Sequence, residues 1–104
     1  MKEIIFTVFT PTYNRAHTLE RLFLSLANQN YKNFEWLIID DGSLDNTEEL
    51  INCFKDKKLI DIQYFRKENG GKPRAINYGV EKARGKYFLM VDSDDYLLDR
   101  KSVV

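Results

Sequence analysis

The sequence predicts an α/β fold, a mainly parallel β-α-β-α-β-α-β sheet with helices on both faces. Two observations point there. Short runs of β-branched and aromatic residues alternate with segments of helical periodicity, and the connections between them are brief. The apolar share, 43% of 104 residues, is that of one globular domain.

Each element has its own signal. Ile4 to Phe9 is a strand-like run that meets Thr10-Pro11. Leu19, Leu22, Phe23 and Leu26 fall at i, i+3, i+4 and i+7, the stripe of an amphipathic helix. Phe34 to Ile39 is a second strand, closed by Asp40-Asp41-Gly42-Ser43. Asn46, with Glu49 three residues on, reads as a capping box that opens a helix through about Phe54. Cys53 is expected on the apolar side of that helix. Ile60 to Phe65 alternates, with Ile60, Ile62 and Tyr64 on one face and Asp61 and Gln63 on the other. This is the pattern of a half-exposed edge strand. Pro73 suits a first helical position, Ile76, Gly79, Val80 and Ala83 keep helical spacing, and Gly85 suits a helix stop. Tyr87 to Val91 is apolar on both faces, the mark of a buried central strand in a larger sheet.

Composition excludes several classes. Sixteen basic residues balance sixteen acidic ones, which argues against a dedicated nucleic-acid binder. The longest apolar runs are far too short for a membrane span. The N-terminus lacks the pattern of a signal peptide. The lone Cys53 excludes an internal disulfide and a zinc cluster.

Charge is nevertheless unevenly spread. Residues 35–50 carry six acidic groups, including Glu35, and no basic one, whereas residues 55–86 carry ten Lys/Arg against four Asp/Glu. Such blocks ordinarily form solvated surface. Their interest lies in where they fall, because ligands of doubly wound sheets bind beyond the carboxyl ends of the strands. Thr10 to Arg15, Asp40 to Ser43 and Asp92 to Asp95 each follow a strand, and the third strand leads into Glu68-Asn69-Gly70-Gly71-Lys72.

Asp92, Asp94 and Asp95 place three carboxylates within four residues. Two unit charges about 4 Å apart repel by roughly 4 kcal/mol at an effective dielectric near 20. A hard divalent cation relieves this, and oxygen-only ligands suit Mg²⁺ or Mn²⁺. The alternative is that these aspartates cap a turn. Gly70-Gly71-Lys72 at a helix start has the makings of a phosphate-receiving turn through backbone N–H groups and the lysine ammonium, or of a plain flexible turn. Arg74 and Asn77 sit near the same helix opening. Asp41 is placed to accept hydrogen bonds from a base or ribose, or to stabilise its own turn. His17, the only histidine, reads as a surface helix residue, and Trp36 as packing.

Taken together, Thr10-Pro11-Thr12-Tyr13-Asn14-Arg15, Asp40-Asp41-Gly42-Ser43 with Asp45-Asn46-Thr47, Asn69-Gly70-Gly71-Lys72 with Ala75 and Asn77, and Gly85-Lys86-Tyr87 with Asp92-Ser93-Asp94-Asp95 occur in that order. This resembles the N-terminal half of family 2 glycosyltransferases of the inverting GT-A type, over residues 4 to about 99. The resemblance implies a Rossmann-like nucleotide-binding half that takes a nucleotide-sugar donor, most often a UDP-sugar, with Mn²⁺ or Mg²⁺. It implies that Thr10, Pro11, Tyr13 and Asp41 surround the base and ribose. Asp92 and Asp94 would form the Asp-x-Asp pair, with Asp94 as direct metal ligand, and Lys72, Arg74 and Asn77 would lie near the base or phosphates. In that family the general base and the site for a hydroxyl acceptor, a glycan or lipid-linked glycan, lie beyond the Asp-x-Asp motif. Here the general base is accordingly expected beyond Val104, and no catalytic residue is assigned before it. Residues 1–104 are therefore expected to be a donor-binding domain without the catalytic base, inactive alone in transfer, within a cytoplasmic enzyme of polysaccharide biosynthesis, in the cytosol or at the inner face of the membrane. Self-association through Tyr87–Val91 is expected of such a piece. Two other classes fit parts of the pattern: a non-catalytic nucleotide- or partner-binding module, and a receiver-type phosphoacceptor domain. The latter would carry its acidic pair after the first strand rather than after the second and fourth.

Overall fold

The computed structural model describes residues 4–29 and 33–91, with the side chain of Lys72 excepted. Seven elements follow in strict alternation: β1 (Phe6–Thr12), α1 (Ala16–Ala27), β2 (Phe34–Asp40), α2 (Thr47–Lys57), β3 (Asp61–Arg66), α3 (Lys72–Lys82) and β4 (Tyr87–Met90). The strands lie in the order β3-β2-β1-β4, and every pairing is parallel. The α/β class and the parallel sheet are as the sequence predicts. No helix among the described residues is long and apolar enough to cross a membrane.

Two cores sandwich the sheet. On one face, α1 contributes Leu19, Leu22, Phe23 and Leu26, and α2 contributes Ile51 and Phe54, all against Val8, Phe34, Trp36 and Ile38. The rings of Phe23 and Phe54 stack 4.2 Å apart and 1° from parallel. The indole N–H of Trp36 donates to Thr10 Oγ1 at 2.9 Å, so its one polar atom is satisfied inside the core. On the other face, α3 covers Phe9, Leu37 and Ile39 with Ala75. Gly79 makes that contact possible, because a Cβ there would collide with the edge of the Phe9 ring. Glycine in a helix costs about 1 kcal/mol relative to alanine, less than burying a phenylalanine ring returns.

Several local expectations are corrected. β1 does not stop at Thr10-Pro11 but runs through Pro11 to Thr12. Along a parallel strand, alternate residues bond alternate neighbours. Thr12 accepts from Asp41 N on the β2 side, and Phe9 accepts from Val91 N on the β4 side. Pro11 thus turns its missing N–H toward β4, beyond the Phe9–Met90 pair, the last of that ladder among the described residues. The capping box at Asn46 does not form, as Asn46 makes no side-chain cap bond. Asp45, one residue earlier, accepts the Thr47 N–H instead. Cys53 is exposed, because the buried stripe of α2 is Thr47, Ile51 and Phe54, and Cys53 falls off it. Gly85 does not end α3, which closes at Lys82; its N–H donates to Thr7 Oγ1 at 2.8 Å.

β3 is the half-exposed edge strand that its alternation predicts. β4, read from the sequence as a strand buried in a larger sheet and left uncovered in this piece, is uncovered here. Its Tyr87, Phe88 and Met90 are 58%, 40% and 45% exposed. Among the described residues it pairs only with β1, and α3 lies over β2 and β1 rather than over β4.

Glu35, within an acidic block that reads as solvated surface, is fully buried at the amino end of β2. Its carboxylate accepts from Thr7 Oγ1 and Arg84 N, both at 2.6 Å, from Arg84 Nε at 2.8 Å, and from Gln63 Nε2. Arg84 reaches on to Asp61 at 3.1 Å. Burial alone would raise the Glu35 pKa, but the Thr7, Arg84 and Gln63 donors outweigh it and hold the carboxyl below its ordinary value. One carboxylate therefore joins β1, β2, β3 and the α3–β4 connection.

Because folded Glu35 binds its proton more weakly than unfolded Glu35, its contribution is complete above the ordinary value near 4.5 and fades as pH falls through the folded value. Glu35→Gln is expected to cost about 2 kcal/mol at pH 7, the worth of hydrogen bonds to a charged group. Urea denaturation at pH 7 and pH 3 checks this, and the gap between parent and variant should narrow at the lower pH.

Candidate functional site at the strand-end rim

The carboxyl ends of three strands are level. Thr12 pairs with Asp40, and Asp40 with Arg66. β4 ends lower, opposite Phe9, and delivers Val91 to the same rim. In the order β3-β2-β1-β4 the chain reverses direction across the sheet between β1 and β4, the switch point where open α/β sheets take their ligands.

The β1–α1 and β2–α2 loops are stitched together above β1 and β2. Asp41 N donates to Thr12 O at 2.8 Å. Asn14 N donates to Ser43 Oγ at 2.8 Å, and Leu44 N donates to Asn14 Oδ1 at 2.7 Å. Ala16 N, at the start of α1, donates to Asp45 Oδ2 at 3.1 Å. Asp45 thus serves the first turns of α1 and α2 together, and these donors outweigh its desolvation and lower its pKa. Tyr13 stands between these bonds, 44% exposed.

Asp41 organises the opposite side of the rim. Its side chain is 11% exposed and forms an ion pair with Lys67. Oδ1 also accepts Gly70 N at 2.9 Å, and Oδ2 accepts Gly71 N at 3.0 Å. Desolvation raises the Asp41 pKa, but Lys67 and the two glycine N–H groups prevail and lower it. Gly71 adopts φ 93°, a positive-φ conformation that a glycine tolerates. This corrects the phosphate-receiving reading of the turn, since the Gly70 and Gly71 N–H groups already serve Asp41.

Asp40 faces the other way. Its Oδ1 accepts Ser43 N at 2.8 Å and its Oδ2 accepts the Tyr64 hydroxyl. Two open clefts flank Arg66, whose Nη2 donates to Ser43 O at 2.8 Å. One, of about 480 Å³, is bordered by Asp40, Ser43, Leu44, Asp45 and Glu48. The other, of about 430 Å³, is bordered by Gly42, Lys67, Glu68 and Asn69.

Of the residues singled out from the sequence, Tyr13 and Asp41 reach the rim. Arg74 and Asn77 lie on the first turns of α3, with the Arg74 Cδ 2.9 Å from where a Cβ on Gly70 would stand. Thr10 and Pro11 are buried in β1, and Thr10 spends its hydroxyl on Trp36. Lys72 opens α3. Asp92 and Asp94 lie outside the described residues. Val104 lies outside them too, so the general base expected beyond Val104 has no counterpart in the geometry above. Among the described residues no group of three or more His, Cys, Asp or Glu side chains is placed to hold a metal. Asn14 and Ser43 stand in the motifs read from the sequence, but their role as the bonds between two loops is not visible there. Lys67 is a residue that the sequence reading missed, and its signal is its place directly after the third strand.

The sequence model of glycosyl transferase family 2 matches residues 7–101. The chain belongs to this family. Membership sets aside the receiver-type alternative. An uncharacterized glycosyltransferase of Rickettsia bellii is 43% identical over 96 residues, covering 91% of this chain and 14% of its own length. The crystal structure of residues 1–349 of Staphylococcus aureus TarS in complex with UDP-GlcNAc is 32% identical, with a TM-score of 0.85 over 99% of this chain and 29% of that one. The mannosyltransferase PcManGT of Pyrobaculum calidifontis, solved with GDP-Man and Mn²⁺, shares the fold with a TM-score of 0.89 at 24% identity, covering 94% of this chain and 30% of that one. The Rossmann-like GT-A architecture is thereby established. The chain spans well under half the length of each of these proteins.

Asp41→Ala should free the turn it holds. The Gly70 and Gly71 amides are expected to exchange with deuterium at least about tenfold faster than in the parent, the equivalent of 1.4 kcal/mol. Exchange measured by NMR at these two amides checks it.

Proposed function

We propose that residues 1–104 form the donor-binding part of an inverting glycosyltransferase that takes a UDP-sugar with Mn²⁺ or Mg²⁺ for transfer to a hydroxyl acceptor on a glycan or lipid-linked glycan. The observation that carries this reading is the convergence of Tyr13, Asp41 and Val91, the residue that precedes Asp92 in sequence, on one switch-point rim. The 32% identity to TarS, solved with UDP-GlcNAc, supports a UDP-sugar as donor.

In this reading Tyr13 and Asp41 flank the base and ribose. Tyr13 offers an exposed ring for stacking. Asp41 already accepts three donors, so it has about one lone pair left for the nucleotide and otherwise acts through the turn it holds. Thr10 and Pro11 support this wall from within β1, while Lys72, Arg74 and Asn77 border it from α3. Asp92 and Asp94 supply an all-oxygen donor set suited to a hard cation, with Asp94 as the direct ligand. The cation, when bound, neutralises the diphosphate and stabilises it as a leaving group. Inverting transfer also needs a base to deprotonate the acceptor hydroxyl. None is assigned within residues 1–104, and its place in this reading is beyond Val104. We therefore expect this chain alone to bind donor without transferring sugar.

Asp94→Asn is expected to weaken UDP binding in Mn²⁺ by at least about tenfold, or 1.4 kcal/mol. Calorimetry with Mn²⁺ and with excess chelator checks this, and equal parent affinity in the two conditions would remove the metal from the site. Asp41→Ala is expected to weaken binding in both conditions by about 1.5–3 kcal/mol, because its contribution does not pass through the cation.

The exposed side chains of β4 support self-association of the 104-residue chain through Tyr87–Val91. Light scattering should show a mass that rises with concentration; a monodisperse monomer at all concentrations would overturn this part of the reading.

A further inference from the structure

We infer that Asn14 is a positioning residue of the donor site, holding Tyr13 at a fixed distance from Asp41. The inference rests on the donor-site reading above. Asn14 is one of two non-glycine residues with a left-handed backbone, at φ 52°, among the described residues. Asparagine tolerates that region better than most residues, yet the conformation still needs support from its surroundings. Asn14 is supported at both ends. Its N–H is taken by Ser43 Oγ, and its side-chain oxygen takes the Leu44 N–H.

These two bonds run in opposite directions between the same two loops, so they resist both sliding and lifting of one loop past the other. The next bond toward the sheet, Asp41 N to Thr12 O, involves the residue before Tyr13 and the carboxylate residue itself. The next bond outward, Ala16 N to Asp45 Oδ2, anchors the start of α1. Tyr13 is thus the one exposed aromatic of a strap fastened on either side. The left-handed turn at Asn14 reverses the chain direction between β1 and α1 immediately after that ring. A stacking group contributes most when its ring is immobilised before the ligand arrives, because the ordering cost is not charged to binding.

The test uses the 104-residue chain with UDP as probe. Asn14→Gly keeps access to positive φ but removes the acceptor for Leu44 N–H. Asn14→Asp keeps both the tolerance and an acceptor oxygen. Ser43→Ala cuts the strap at its other bond. The glycine variant is expected to bind UDP about fivefold more weakly, the fold-change for one lost hydrogen bond. NMR relaxation at the Tyr13 amide should show new mobility in it. Ser43→Ala should reproduce both effects, and Asn14→Asp should keep the Tyr13 amide rigid. Unchanged Tyr13 relaxation in Asn14→Gly and Ser43→Ala overturns the inference. So does new Tyr13 mobility with UDP affinity unchanged. A parent chain that binds no UDP overturns the donor-site reading and with it the functional half of the inference, while Tyr13 relaxation still decides the strap on its own.

Discussion

The register of β1 against β2 is the constraint on which the rest depends. It runs from the Phe6–Phe34 pair to the Thr12–Asp40 pair and is fastened at three heights. Thr7 donates to Glu35 at the bottom, Trp36 to Thr10 in the middle, and Asp41 N to Thr12 O at the top. A slip of β1 by one residue would turn Phe9 from the α3 side to the other while Leu37 stayed, and would take Thr7 away from Glu35. It would also move Asn14 away from Ser43. The polar bonds add little net energy each, but in a buried setting they make every other register expensive, since each would leave a carboxylate or an indole N–H without a partner.

The two ends of the sheet solve different electrostatic problems with the same kind of group. Glu35 at the amino end and Asp41 at the carboxyl end are both carboxylates in which several hydrogen bonds outweigh desolvation. Glu35 is sealed, with its partners drawn from β1, β3 and the approach to β4, and serves cohesion. Asp41 draws its partners from a turn and from Lys67, which lines an open cleft together with Gly42. Anything that competes for Lys67 or for the glycine amides changes the shape of the rim as well as its charge.

Much of this is legible in the sequence because the strongest signals are periodic. Parallel strands flanked by helices leave an alternation of apolar runs and stripes that needs no tertiary knowledge, and the polar clusters after the strands mark the rim. What is not legible depends on which neighbour a group meets. The capping signal at Asn46 is displaced by Asp45 because α1 comes within reach of the same carboxylate. Glu35 looks like surface because its donors lie 28 and 49 residues away in sequence. Gly70 and Gly71 look open to phosphate because nothing local reveals that Asp41, 29 and 30 residues earlier, already claims their N–H groups. The apolar character of β4 is plain from its residues, but burial requires cover, and α3 spends itself on β1 and β2.

Pro11 has a consequence for the pairing of β1 with β4. In a parallel ladder the residue two beyond Phe9 is the next to offer its N–H toward β4, to the carbonyl of Val91. Pro11 has no hydrogen to offer there. That rung is withheld by covalent structure rather than by a balance of weak forces, so one imino ring in β1 fixes which backbone acceptor at the switch point receives no donor from the neighbouring strand.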